Sequence, residues 1–122
     1  MANILIIDDD ENMCDLLKTM LRLEKHLVNV ALDGKQALEI YNKKKPDLII
    51  TDIIMPNQNG IEFMIELGHQ GNTVPIIAMS GGRRSVTSEF NLDSAELLGA
   101  KAVLPKPFNH AQLKEAIQKA LN

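Results

Sequence analysis

The chain has 122 residues, with 13 Lys or Arg against 16 Asp or Glu and a formal net charge of −3. One domain over residues 1–122 is therefore expected, and the phosphate-neutralising surface of a direct nucleic-acid binder is not. Aromatics are 3% of residues, so Ile, Leu, Val, Met and Ala must build the core, and the single cysteine, Cys14, excludes an internal disulfide and a cysteine-based zinc site. No apolar stretch approaches the roughly 20 residues of a membrane span. Asp8, Asp9 and Asp10 break the N-terminal apolar run before it could serve as a leader. No membrane partner is expected, and the location expected is cytoplasmic.

Asn3 to Ile7 is a β-branched run that suits a strand buried on both faces. Met13, Leu16, Leu17, Met20 and Leu21 recur at helical spacing, with Asp10 the expected N-cap and Cys14 a packing residue beside the stripe. Leu27 to Leu32 reads as a second strand, ended by Asp33-Gly34. Ala37, Leu38 and Tyr41 mark a short helix that runs out in Lys43, Lys44 and Lys45, cations suited to a helix C-terminus. Asp47 to Ile53 is the third strand, closed by Pro56 and the turn residues 57–60. Ile61, Met64, Ile65 and Gly68 then give one helix face, and Val74 to Met79 a fourth strand, with Pro75 near its start, where a missing N–H does least harm. A helix is expected within Ser88 to Leu98, a short strand over Ala102 to Leu104, and a last helix carrying Leu113, Ala116, Ile117, Ala120 and Leu121 behind an Asn109/Gln112 capping box.

Five strands alternating with five helices imply an α/β fold, a mostly parallel sheet covered on both faces. Right-handed crossovers put every strand's C-terminal end on one edge, where doubly wound folds bind ligands. The residues there are Asp8 and Asp9 after the first strand, with Asp52 delivered by the third, Ser80 by the fourth and Lys106 by the fifth. An acidic pair ahead of a helix is often no more than a cap, and a lone Lys after a strand is usually solvated. Their joint occurrence on successive strands is what points to a site. Three converging carboxylates repel one another strongly, and a hard divalent cation resolves the conflict. Mg²⁺ takes oxygen ligands and binds through one or two carboxylates plus a phosphate. The chemistry such a site supports is phosphoryl transfer to a carboxylate, with Mg²⁺ and Lys106 neutralising the phosphoryl oxygens and Ser80 donating to another.

These residues resemble a response-regulator receiver domain of two-component signalling. The resemblance covers essentially the whole chain: Ile4 to Asp10, Asp47 to Pro56, Asn59-Gly60, Pro75 to Gly81 and Lys106-Pro107-Phe108. It implies a doubly wound, flavodoxin-like five-stranded sheet of order 2-1-3-4-5. It further implies Asp52 as phospho-acceptor; Asp8, Asp9, Asp52 and the Ile54 backbone carbonyl as Mg²⁺ ligands; Ser80 as switch hydroxyl; Lys106 as phosphate-contacting lysine; and a cis Lys106-Pro107 peptide. A histidine kinase or phosphotransfer protein would donate the phosphoryl. An output protein would read the surface of the fourth helix, fifth strand and fifth helix, on a monomer or a phosphorylation-dependent dimer. The domain would catalyse its own phosphorylation and dephosphorylation only, as a single-domain regulator or as the receiver portion of a longer chain.

Two departures from the family's pattern stand out. Val103 replaces a frequent aromatic three residues before the lysine, which leaves the readout to Ser80 and its backbone. The stretch from Ser80 to Lys106 is longer than usual and carries Arg83 and Arg84. Three other readings compete. Asp8-x-Asp10 is similar to the nucleophile motif of Mg²⁺-dependent haloacid-dehalogenase phosphatases and phosphotransferases, but Glu11 stands where that motif has Thr or Val. A flavin binder would need a phosphate-cradling loop where this chain has acid. A degenerate receiver acting only as an interaction module would have no need of so complete a site.

Overall fold

The computed structural model describes residues 2–53, 60–81 and 99–122. Asn3–Ile7 is β1, Glu11–Leu23 α1, Leu27–Ala31 β2, Gly34–Lys43 α2, Leu48–Asp52 β3, Gly60–His69 α3, Ile76–Gly81 β4, Ala102–Lys106 β5 and His110–Leu121 α4. The helix expected within Ser88 to Leu98 lies outside the described residues. All five strands are parallel, in the order β2-β1-β3-β4-β5. The doubly wound, flavodoxin-like sheet read from the sequence is the sheet observed.

Alternation along the strands divides the core. Ile4, Ile6, Leu48, Ile50, Ile77, Met79 and Leu104 face Cys14, Leu17 and Leu21 of α1 and Leu113, Ala116, Ile117 and Ala120 of α4. Leu5, Ile7, Ile49, Ile76 and Ala78 face Ala37 and Tyr41 of α2 and Phe63, Met64 and Leu67 of α3. Burying each such Ile or Leu contributes about 1.5–3 kcal/mol, and burial on both faces explains why β1 and β3 read as apolar runs rather than alternating ones.

Helix starts follow the sequence. Asp10 Oδ1 accepts the N–H of Asn12 at 3.0 Å, Asp33 Oδ1 accepts that of Gln36 at 2.8 Å, and Asn109 and Gln112 close the capping box, each bond at 2.8 Å. Three details correct the reading of faces and ends. On α3 the buried residues are Phe63, Met64 and Leu67, while Ile65 and Gly68 are exposed. Glu62, Glu66 and His69 take one side of that helix, the apolar residues span an arc wide enough for two faces to satisfy helical spacing, and the sheet takes the one carrying Phe63 and Leu67. Leu16 and Leu121 are likewise exposed at the margins of their stripes. β4 begins at Ile76, because Pro75 has no N–H to pair, and runs on to Gly81; β5 extends to Lys106, with Pro105 tolerated because β5 is an edge strand.

Candidate functional site

Four strand ends meet at the C-terminal edge of the sheet. Register sets Ile7 beside Thr51, Asp52 beside Met79, and Gly81 beside Lys106. Residues far apart in sequence therefore end within a few ångströms. Carboxylate oxygens of Asp8, Asp9 and Asp52 all lie within 4.8 Å of one another, with Asp8 and Asp52 buried and Asp9 half-buried. Lys106 Nζ reaches in from β5 to Asp8 Oδ2 at 3.0 Å and Asp52 Oδ2 at 3.4 Å. Burial opposes the lysine's charge, but Asp52 and Asp8 together outweigh it and raise its pKa above the usual lysine value, so it stays cationic at neutral pH.

Asp8 is held more closely than its position in the sequence suggested. Its N–H donates to the Ala31 carbonyl at 3.1 Å, and its Oδ1 accepts the Asp10 N–H at 3.0 Å. Its carbonyl accepts the thiol of Cys14 at 3.2 Å. Burial, then the charges of Asp8 and Asp10, push that thiol up to about 11. Cys14 packs in the core as expected. The hydrogen bond was not anticipated, although the helical phase shared with Leu17 and Leu21 already turned its side chain towards β1. Asp10 contributes its amide to Asp8 while its carboxylate caps α1. Asp8-x-Asp10 therefore does not deliver its second carboxylate to the cluster.

The other expected site residues fall as follows. Ser80 occupies β4 beside Pro105 at the same sheet edge. Ile54 lies outside the described residues, as do Arg83 and Arg84. Lys106-Pro107 is cis. Val103 is half-buried and packs against the α2–α3 side of the core. The donor set suits a hard cation: among the described residues, three carboxylates, two of them buried, cluster beside the ammonium of Lys106. Among the described residues no helix is long and apolar enough to cross a membrane.

Residues 4–118 match the response regulator receiver domain family. The chain belongs to that family. The transcriptional regulatory protein CpxR of Klebsiella pneumoniae is 37% identical over 121 residues, which are 99% of this chain and 50% of that protein. The response regulator MprA of Mycolicibacterium vanbaalenii is 34% identical over 108 residues, 88% of this chain and 45% of that one. The chain thus spans about half the length of these relatives. Among solved structures, the chemotaxis protein CheY4 of Vibrio cholerae superposes with a TM-score of 0.88 at 30% identity over 99% of both chains. NtrX of Brucella abortus gives 0.90 at 29% identity over 98% of this receiver and 26% of that chain. This is a receiver domain of two-component signalling.

Proposed function

We propose that this receiver accepts a phosphoryl group on Asp52 from a histidine kinase or phosphotransfer protein and uses it to change a partner-binding surface, from a cytoplasmic location. The observation that carries the proposal is the cluster itself: a buried carboxylate at the end of β3, two more carboxylates from the β1 end, and Lys106 between Asp8 and Asp52.

Asp8, Asp9 and Asp52 would hold Mg²⁺, with the Ile54 carbonyl as a further ligand. Bound there, Mg²⁺ supplies charge neutralisation for the phosphoryl oxygens and relief of the repulsion among the carboxylates. An oxygen of Asp52 attacks phosphorus, the bond from phosphorus to the donor nitrogen breaks, and the phosphoryl group remains on Asp52 as an acyl phosphate. Lys106, already within reach of Asp52, pairs with a phosphoryl oxygen. Asp10 N–H keeps Asp8 oriented throughout. The added group brings roughly two negative charges and three acceptor oxygens, and Ser80 and Lys106 moving towards it would repack the surface that includes β5 and α4. The output is a separate partner or a further domain, as the length of the relatives allows. Catalysis is confined to the domain's own phosphorylation and dephosphorylation.

The test is intact-mass spectrometry after incubation with acetyl phosphate, with and without Mg²⁺, on the wild type and Asp52→Asn. The expected result is one Mg²⁺-dependent gain of about 80 Da, the mass of the phosphoryl group of an aspartyl phosphate, absent from the variant. A gain that persists in Asp52→Asn would assign the acceptor elsewhere. No gain with acetyl phosphate or with a histidine kinase would leave an interaction module.

A further inference from the structure

Three polar groups of Asp8 are fixed by the sheet and the site: its N–H by Ala31, Oδ1 by the Asp10 amide and Oδ2 by Lys106. The fourth is its main-chain carbonyl, buried where the chain leaves β1 for α1. Cys14 Sγ donates to that carbonyl at 3.2 Å, and the Cys14 N–H donates to the Asp10 carbonyl at 3.0 Å. The first turn of α1 and the Asp8 peptide are therefore one hydrogen-bonded unit. The same turn supplies the amide that orients the Asp8 carboxylate.

We infer that Cys14 is a positioning residue for the metal site, holding the Asp8 peptide so that its carboxylate faces Asp9 and Asp52. The inference rests on the reading of Asp8 as a Mg²⁺ ligand. Rotation of the Asp8 peptide would swing its Cα–Cβ bond, and a ligand held in place at every other polar group is aimed only as well as its backbone. Hydrophobic packing alone would be served as well by Ala or Val at position 14; the bond to Asp8 requires a donor.

Mg²⁺ affinity measured by isothermal titration calorimetry on wild type, Cys14→Ala, Cys14→Val and Cys14→Ser separates the two roles. Losing the donor in Cys14→Ala and Cys14→Val should weaken Mg²⁺ binding by about 3- to 10-fold. That is below the 10- to 100-fold typical of outer-shell partners, because a thiol is a weak donor. Cys14→Ser should restore affinity close to wild type, and the Asp10 amide resonance should shift in the Ala and Val variants but not in Ser. Melting curves recorded in parallel report packing separately. If one apolar variant fails to fold, the other makes the comparison. Unchanged affinity in the apolar variants, or equal weakening in Ser, overturns the inference while the metal reading stands. A wild type that binds no Mg²⁺ overturns both.

Discussion

Lys106 has two tasks, because without metal or phosphoryl it is the cation that Asp8 and Asp52 share. Lys106→Met leaves the carboxylates to repel one another. At neutral pH without Mg²⁺ the variant should lose about 2–4 kcal/mol of stability in urea denaturation, as expected for breaking a largely buried ion pair. It should bind Mg²⁺ more tightly than wild type, since the competitor for Asp8 Oδ2 is gone, and yet be phosphorylated by acetyl phosphate on the order of 100-fold more slowly. Weaker Mg²⁺ binding would contradict this account of the site's charge. Cys14 gives a second test at this scale. Its thiol ionises near 9 when unfolded and about 11 when folded. Between those values the unfolded chain binds fewer protons, so stability falls as pH rises; below 9 the contribution is fully present. The difference in stability between wild type and Cys14→Ala should shrink by about 2 kcal/mol from pH 9 to pH 11, read from denaturation curves at each pH.

The helix ends distinguish local requirements from tertiary ones. At the C-terminus of α1, His26 N–H donates to the Leu21 carbonyl and Lys25 N–H to the Arg22 carbonyl, the Schellman pattern, with Lys25 left-handed at φ 66°. The C-terminus of α3 repeats it, with Asn72 N–H on the Leu67 carbonyl and Gly71 at φ 74°. The same geometry thus holds glycine in one place and lysine in the other, at a cost for the lysine. Lys25→Gly should stabilise the chain by about 0.5–1 kcal/mol, and Gly71→Ala, whose added Cβ meets nothing within 4 Å, should destabilise it by about 1 kcal/mol through backbone strain alone. Thermal melts of both variants check the pair, and a destabilised Lys25→Gly would show that Lys25 makes an offsetting interaction. The helix starts at Asp10 and Asn109 were legible in the sequence because these residues accept bonds from residues two or three positions on; Asp33, read only as a turn residue, caps α2 in the same way. The end of α1 was not legible, since lysine is no signal for a left-handed residue. Nor was the buried face of α3, where periodicity alone allowed two.

In the whole molecule, folding brings three carboxylates together against their mutual repulsion, and a cation relieves it. Asp52→Asn removes one charge from the cluster and should raise stability in the presence of EDTA by about 1 kcal/mol, the size of a modest unfavourable pair between partly screened charges. Wild type at a Mg²⁺ concentration 100 times its Kd should gain about 2.7 kcal/mol, and Asp52→Asn less than that at the same concentration. Urea titrations with EDTA and with Mg²⁺ supply all four values. A less stable Asp52→Asn in EDTA would mean that its pairing with Lys106 outweighs the repulsion.

The fold class, the caps at Asp10 and Asn109 and the four charged residues of the cluster, Asp8, Asp9, Asp52 and Lys106, were legible in the sequence, and the strand order followed from the family resemblance. Apolar runs and amphipathic periods alternate strictly, strand connections have one hand, Asp8 and Asp9 come after β1, and Asp52 and Lys106 close β3 and β5. What only the tertiary structure decided is how these residues meet. The division of Lys106 between Asp8 and Asp52, the bond from Cys14 to the Asp8 carbonyl and the rotation of α3 all join groups brought together by packing. Their partners are fixed by the summed burial of two core layers rather than by any local preference. Local chemistry names the groups at the sheet edge; the packing of the two layers sets the few ångströms between them on which the chemistry depends.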